Sequence, residues 1–365
     1  MIWPFGGGGF SEWLERRRAF RHLKRAAAIE EATIPLNDDN PLHRAKVSLE
    51  VDDLKRAREF LDLARVRIPN YVLTSPDTVE IMLGLGDFAE VESFTLSGAK
   101  RFPYRPHYLE GYAMVAELQR NFDEAARRWA LVRRKFPNRK LAYTAEVGAL
   151  RRLGRLDEAE SVLRQAIRRM PDEMTVLLEW GRVADARKDW EEAYRRWDSV
   201  RDRHPAGYVG AAEALQKLGR TDEAEALLAA GRLRHPIHEG IAITQAYIAE
   251  AAGNRAEALK RWAVVRQRFP LDRAGYAEAI RVLRQQQEWA EAEAIAQLAI
   301  ERFPAYVWPL EDYAMLAHLR KDWTEAAKRW AALLVAFPDR KDAQQREAEA
   351  LAAAGLHQPG GATPP

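Results

Sequence analysis

Residues 121–137 read NFDEAARRWALVRRKFP, and the same seventeen-residue phrase returns as DWEEAYRRWDSVRDRHP at 189–205, NRAEALKRWAVVRQRFP at 254–270 and DWTEAAKRWAALLVAFP at 322–338. Each copy opens on Asn or Asp with Glu three positions later, sets an alanine next, a tryptophan four after it, and closes on proline. The prolines carry the beat through the chain. Pro69, Pro103, Pro137, Pro171 and Pro205 stand 34 apart, Pro236 follows after 31, and Pro270, Pro304 and Pro338 resume the step of 34. Such a period marks a stacked array, in which one supersecondary unit cannot bury its apolar face alone and covers it with the next copy. One elongated domain is therefore expected where 365 residues would otherwise suggest two or three globular ones.

Residues four apart share a face of a helix, so Ala125 and Trp129, Ala193 and Trp197, Ala258 and Trp262, and Ala326 and Trp330 put a small residue one turn from a large one. Rings in that position are expected to be core rather than a stacking platform, because large aromatics dominate the buried area of small units. The opening Asn121, Asp189, Asn254 and Asp322, with Glu124, Glu192, Glu257 and Glu325, form N-cap patterns: the short side chain accepts a free backbone N–H, and the Glu sits in the favourable field of the first turn. Runs such as LEGYAMVAELQ at 109–119 and PLEDYAMLAHL at 309–319 supply a preceding helix. Each unit is thus a helical hairpin. Intervening copies place Arg155, Arg220 and Glu288 at the cap and Leu163, Leu228 and Ala296 at the tryptophan slot, so the true unit is four helices.

With the turn fragments GRLDEA at 154–159, GRTDEA at 219–224 and GNRAEA at 253–258, these positions resemble the tetratricopeptide repeat. The resemblance covers residues 38–340 in about nine copies of 34 residues, with a capping helix at 341–355 beyond them. It implies an all-α, right-handed superhelical solenoid of antiparallel helix hairpins. Two copies depart from the pattern. The one around Val91, Thr95 and Gly98 is degenerate, and the one ending at Pro236 has lost three residues between Pro205 and Tyr208, which predicts a shortened inter-repeat loop. In the family the first helices line a concave groove that holds a partner's peptide or helix, and register then puts Met114, Arg151, Arg182, Tyr247, Arg281, Arg284, Trp308 and His318 on or near that surface. Arginine and aromatic residues are the types enriched at binding hot spots. Repeats of this family that clamp a C-terminal carboxylate use Lys and Asn at set groove positions, and no Asn falls there.

The rest of the sequence narrows the function. There are no cysteines, so disulfides, zinc–thiolate centres and thiol nucleophiles are excluded. His235 and His238 are close in sequence but have no third ligand nearby, and no metal or cofactor is expected. No glycine-rich phosphate loop follows a strand, and helix-spaced acid–arginine pairs such as Arg155 and Glu158 read as solvated faces, so a non-catalytic scaffold is expected. Residues 1–30 hold six basic and three acidic groups, which accounts for the whole net charge of +3 and leaves the array neutral. A track for nucleic acid would need a sustained basic stripe, so none is expected as partner. Residues 1–37 form an arm in which Trp13 and Phe20 interleave with Arg16, Arg17, Arg18, Arg21, Lys24 and Arg25. Such a helix either caps the first repeat or lies on an anionic membrane surface. The second option supports an alternative reading, an accessory subunit of a glycan-building or other enzyme complex at the inner membrane face. The apolar MIWPF opening is cut short by Gly6–Gly9, so a cytoplasmic location is expected, peripheral at the membrane if the arm attaches there; residues 356–365 read as a disordered tail.

Overall fold

The computed structural model describes residues 40–355; the arm at 1–37 and the tail at 356–365 lie outside the described residues. Among the described residues there are twenty helices and no strand. The chain divides into two compact units, Met1–Ala214 and Leu215–Pro365. The first contains α1 (Pro41–Glu50), α2 (Leu54–Arg67), α3 (Pro69–Thr74), α4 (Pro76–Leu85), α5 (Phe88–Arg101), α6 (Pro106–Leu118), α7 (Phe122–Lys135), α8 (Lys140–Arg152), α9 (Leu156–Arg169), α10 (Met174–Arg187) and α11 (Trp190–Asp198). The division falls within α12 (Ala206–Lys217). The second unit continues with α13 (Thr221–Arg234), α14 (Glu239–Ala251), α15 (Arg255–Arg268), α16 (Ala274–Gln285), α17 (Trp289–Arg302), α18 (Val307–Leu319), α19 (Trp323–Ala336) and α20 (Lys341–Ala353). First and second helices thus succeed one another nine times, with α3 inserted and α20 following. Each proline of the 34-residue step stands just past a second helix, opens the next helical segment or, at Pro205, directly precedes it, where its missing N–H costs nothing.

The repeated phrase folds as its residue types dictate. Asn121, Asp189, Asn254 and Asp322 each accept the backbone N–H three residues on, at 3.2, 3.2, 3.1 and 3.2 Å, whereas Arg155, Arg220 and Glu288 make no side-chain cap. All four tryptophans of the phrase are core: Trp129, Trp197, Trp262 and Trp330 are at most 5% exposed. Trp197 shows how tightly they are held. A Cβ added at Gly181 or at Gly210 would lie within 2.5 Å of its ring, so glycines on two helices let the indole fill the space between them.

The cap glutamates do more than answer the helix field. In each phrase the arginine before the tryptophan, Arg128, Arg196, Arg261 and Arg329, takes that Glu with its Nε at 2.8, 2.8, 2.9 and 2.8 Å. The same guanidinium reaches the preceding second helix, pairing with Glu92, Glu160, Glu225 and Glu293, and donates to a first-helix carbonyl, of Tyr112, Trp180, Gln245 and Tyr313. Three of the four also have their Cζ over an aromatic ring, Tyr112, Trp180 and Tyr313, at 3.7 to 3.8 Å from its centre. These arginines are not a solvated face: Arg196 and Arg329 are 9% and 8% exposed. Each one stitches three helices, and the stitch recurs only in the tryptophan copies. The four-helix unit read from alternation is therefore a physical unit. Arg155 with Glu158, by contrast, is an exposed pair as expected.

The degenerate copy is repaired from outside itself. Thr95 and Gly98 leave room on α5, and the ring of Tyr108 from α6 fills it, fully buried and stacked on Phe102 at 5.9 Å. A Cβ at Gly98 would sit 2.1 Å from that ring. The same copy breaks its first helix in two, because Pro76 cannot continue α3; Ser75 caps α4 instead, and the Thr78 hydroxyl ties back to the Val72 carbonyl at 2.8 Å. Contrary to expectation, the three-residue loss after Pro205 does not shorten the connection: it spans 199–205, longer than the one at 136–139, because the missing residues are offset by an early helix end. Here α12 begins directly after the proline and α11 stops early, at Asp198. Only glycine fits at 207, since an added Cβ would meet the Arg201 backbone at 2.4 Å.

Candidate partner-binding face

The first helices of each unit carry the residues that register assigned to a groove, and their surroundings differ. Met114 and Trp308 are buried, at 8% and 7% exposure, and pack in the core. Trp308 lies 5.3 Å from the Phe303 ring and has Arg273 over it at 4.9 Å. In the first unit Arg151 and Arg182 converge on Glu179: Arg182 Nη1 donates to it at 2.5 Å, and Arg151 Nη2 lies 3.8 Å away. In the second unit Arg281 is held by Glu278 at 2.7 Å and by Glu250 at 2.5 Å. Three of the four groove arginines are thus in ion pairs inside the protein, Arg281 with two carboxylates and Arg151 and Arg182 sharing one. At Arg281 a further carboxylate would have to displace an existing ion pair.

Tyr247 is the exception in character. It is 42% exposed, its ring stands edge-on to buried Trp262 at 4.9 Å and 85°, and its phenol is pushed up to about 12 by burial and by the Glu278 carboxylate that accepts its proton in a hydrogen bond. The aromatic body is presented to solvent while both ends of its motion are restrained.

One residue on these helices serves a tryptophan, whereas the buried Nε1 of Trp129, Trp262 and Trp330 has no hydrogen-bond partner among the described residues. Trp197 Nε1 donates to Asp185 at 2.9 Å. Asp185 precedes it by twelve residues, and the same offset places Glu117 before Trp129, Glu250 before Trp262 and His318 before Trp330. Where the slot holds Leu163, Leu228 or Ala296, the corresponding residues are Arg151, Gln216 and Arg284. Burial raises the Glu117 carboxyl, against the pull of Arg152 and the Trp129 indole. His318 stands at this offset: its ring stands edge-on to Trp323 at 5.1 Å, and burial lowers its pKa. The sequence reading missed the Asp185–Trp197 hydrogen bond, although the offset of twelve was visible in it.

Asp312 on α18 is pushed up to about 6 by burial, with Arg273 and Arg284 drawing it down and Glu311 and Glu278 adding to the rise. The unfolded carboxyl titrates near 3.8, so the folded state binds the extra proton between these values. Stability from this group is present below the unfolded value and is lost as pH rises through about 6. Asp312→Asn is therefore expected to raise the thermal midpoint at about pH 8 and to have little effect at about pH 4. Equal shifts at both pH values would show that the carboxyl does not titrate as stated.

Among the described residues no helix is long and apolar enough to cross a membrane, and no group of His, Cys, Asp or Glu gathers as a metal site. A search of the curated proteins finds no match. Among solved structures, a tetratricopeptide repeat protein from Parabacteroides merdae is 16% identical, with a TM-score of 0.47, over 63% of this chain and 92% of its own. The Cut9–Hcn1 hetero-tetramer of APC/C is 12% identical, with a TM-score of 0.42, over 87% of this chain and 64% of that one. A thermophilic TPR protein from Thermus thermophilus is 19% identical over 48% of this chain and 97% of its own, with a TM-score of 0.34. The tetratricopeptide repeat family itself matches residues 113–173 and 243–307, one stretch in each unit and each spanning a tryptophan phrase. Helix hairpins in a 34-residue step, capped and closed by proline, with that match in both halves, make this chain similar to the tetratricopeptide repeat family over those two stretches.

Proposed function

We propose that the protein is a non-catalytic interaction scaffold whose first-helix face in the second unit holds a peptide or helix of a partner protein, with Tyr247 as the central contact. Tetratricopeptide arrays serve as protein-interaction scaffolds, and the observation that supports this use here is the restrained, exposed ring of Tyr247 beside ion pairs that are already satisfied. An anchor that loses little freedom on binding is the kind of residue that dominates interface energetics. With Arg281 neutralised, the complementary feature is an apolar or aromatic side chain rather than an acidic one. Arg284, for which no ion pair is found among the described residues, lies three residues beyond Arg281 and would contact the flank of the segment. The alternative, a subunit attached at an inner membrane face, rests on the arm alone.

The test compares proteins recovered from the native cell on tagged wild-type chain, Tyr247→Ala and Leu233→Ala. Leu233 is 86% exposed on the second helix α13 and serves as the control. A protein retained by wild type and Leu233→Ala but depleted at least about tenfold by Tyr247→Ala fits the proposal. Retention on Tyr247→Ala would sink it.

A further inference from the structure

Arg133 and Arg266 occupy the same place in their repeats, four residues before Pro137 and Pro270, yet their environments differ. Arg133 is fully answered: Glu146 takes its Nε and Nη2 at 2.5 and 3.0 Å, and Gln165 takes Nη1 at 3.0 Å. The residues at the same offsets from Arg266, thirteen and thirty-two positions on, are Ala279 and Leu298. Neither can accept a hydrogen bond from its side chain. Arg266 keeps one bond, from Nη1 to the Gly275 carbonyl at 2.7 Å, and among the described residues no carboxylate lies within ion-pair distance. Its burial disfavours the charge, and Tyr276 and Glu291 act against this only through their fields.

A depression of about 520 Å³ opens where those partners are missing, lined by Arg266, Tyr276, Leu298, Ala263, Glu301 and Arg302 among others. That size falls within the range of small-ligand sites, roughly 300–1,000 Å³. Tyr276 turns its hydroxyl away to the Pro270 carbonyl at 3.2 Å, so its ring, with Leu298 and Ala263, gives an apolar wall beside the guanidinium. Glu301 and Arg302 at the rim offset each other, which leaves Arg266 as the net charge of the site.

We propose that this depression, formed by α15, α16 and α17, binds a carboxylate with an apolar body, which supplies from outside the oxygen acceptors that Glu146 and Gln165 supply to Arg133. A guanidinium with free N–H groups in a partly desolvated wall pairs with a planar carboxylate through two parallel hydrogen bonds. The body of the ligand lies on Tyr276 and Leu298. The chemistry is shared by a free organic acid and by the carboxylate of a peptide chain.

The test follows the backbone amide signals of Gln267 and Gly275 in the full-length protein during titration with sodium benzoate, with neutral benzamide, and with N-acetyl-Leu-Phe as free acid and as amide. Saturable shifts with benzoate or the free-acid peptide, about tenfold weaker with the neutral counterpart, are expected. A response to benzoate alone assigns the site to small acids, a response to the peptide alone assigns it to a protein chain, and a response to both supports the shared chemistry. No response to either, or equal response to the neutral compounds, overturns the proposal. Arg266→Met should abolish the shifts. Leu298→Glu rebuilds an internal partner at the position of Gln165; it should abolish them too, while keeping or raising the thermal midpoint. Binding that survives in either variant, each checked to be folded by circular dichroism, overturns the assignment.

Discussion

Trp197→Ala is expected to cost about 3–5 kcal/mol, the range for deleting a buried aromatic side chain. The ring is 5% exposed and is met on two sides by glycines, Gly181 and Gly210, whose backbones cannot close on the space it leaves. Its indole N–H also answers Asp185, a carboxylate that burial already holds above its ordinary range. Removing the ring therefore creates a void and strands an acceptor together. In a stacked array the loss is felt first by the helices that touch the void, so hydrogen exchange over α10 and α11 should accelerate by about a hundredfold or more. Exchange at the wild-type rate there would mean that the tryptophans are not core, and would reopen their reading as a platform for a ligand.

Arg196→Ala carries the second large effect. Truncating one partner of a buried pair costs about 3–5 kcal/mol because the charge left behind is uncompensated. Glu160 is buried as well, and both its oxygens are bound by Arg196, at 2.8 and 3.1 Å. The discriminating variant is Arg196→Met with Glu160→Leu, which removes both charges and keeps the volume. Most of the lost stability should return in the double variant, measured by urea denaturation of the full chain, since paired removal is close to neutral where single removal is not. Arg155→Ala, in an exposed pair, should leave stability near wild type. A double variant as unstable as the single one would assign the effect to the hydrogen bond with the Trp180 carbonyl rather than to the charge pair.

Much of the hairpin order was legible because the signals are local. A cap, an Ala four residues before a Trp and a proline at the end are facts about one helix, and α7, α11, α15 and α19 follow from them directly. The arginine stitches were not legible. Glu124 with Arg128 looks like an ordinary surface pair at helical spacing, and its burial comes from Glu92 and the Tyr112 ring and carbonyl, which lie on other helices. The degenerate copy misled for the same reason, since the ring that repairs Gly98 is supplied by the next repeat. For the candidate face, register gives the side of a helix on which a residue sits but not what its neighbours cover. Register sets Met114, Trp308 and Tyr247 alike on or near the groove, yet Met114 and Trp308 are buried and Tyr247 is exposed.

The stitches also impose a parity on the array. Arg128 and Arg196 stand 68 residues apart, two proline steps, and each needs a glutamate from the hairpin before it. Cutting out a single 34-residue copy would bring two tryptophan copies, or two plain ones, side by side, and would leave an arginine or a glutamate facing the wrong neighbour. Removing two consecutive copies restores the alternation. Lengthening or shortening of this chain, in a laboratory or by recombination, is thus permitted in steps of four helices and resisted in steps of two.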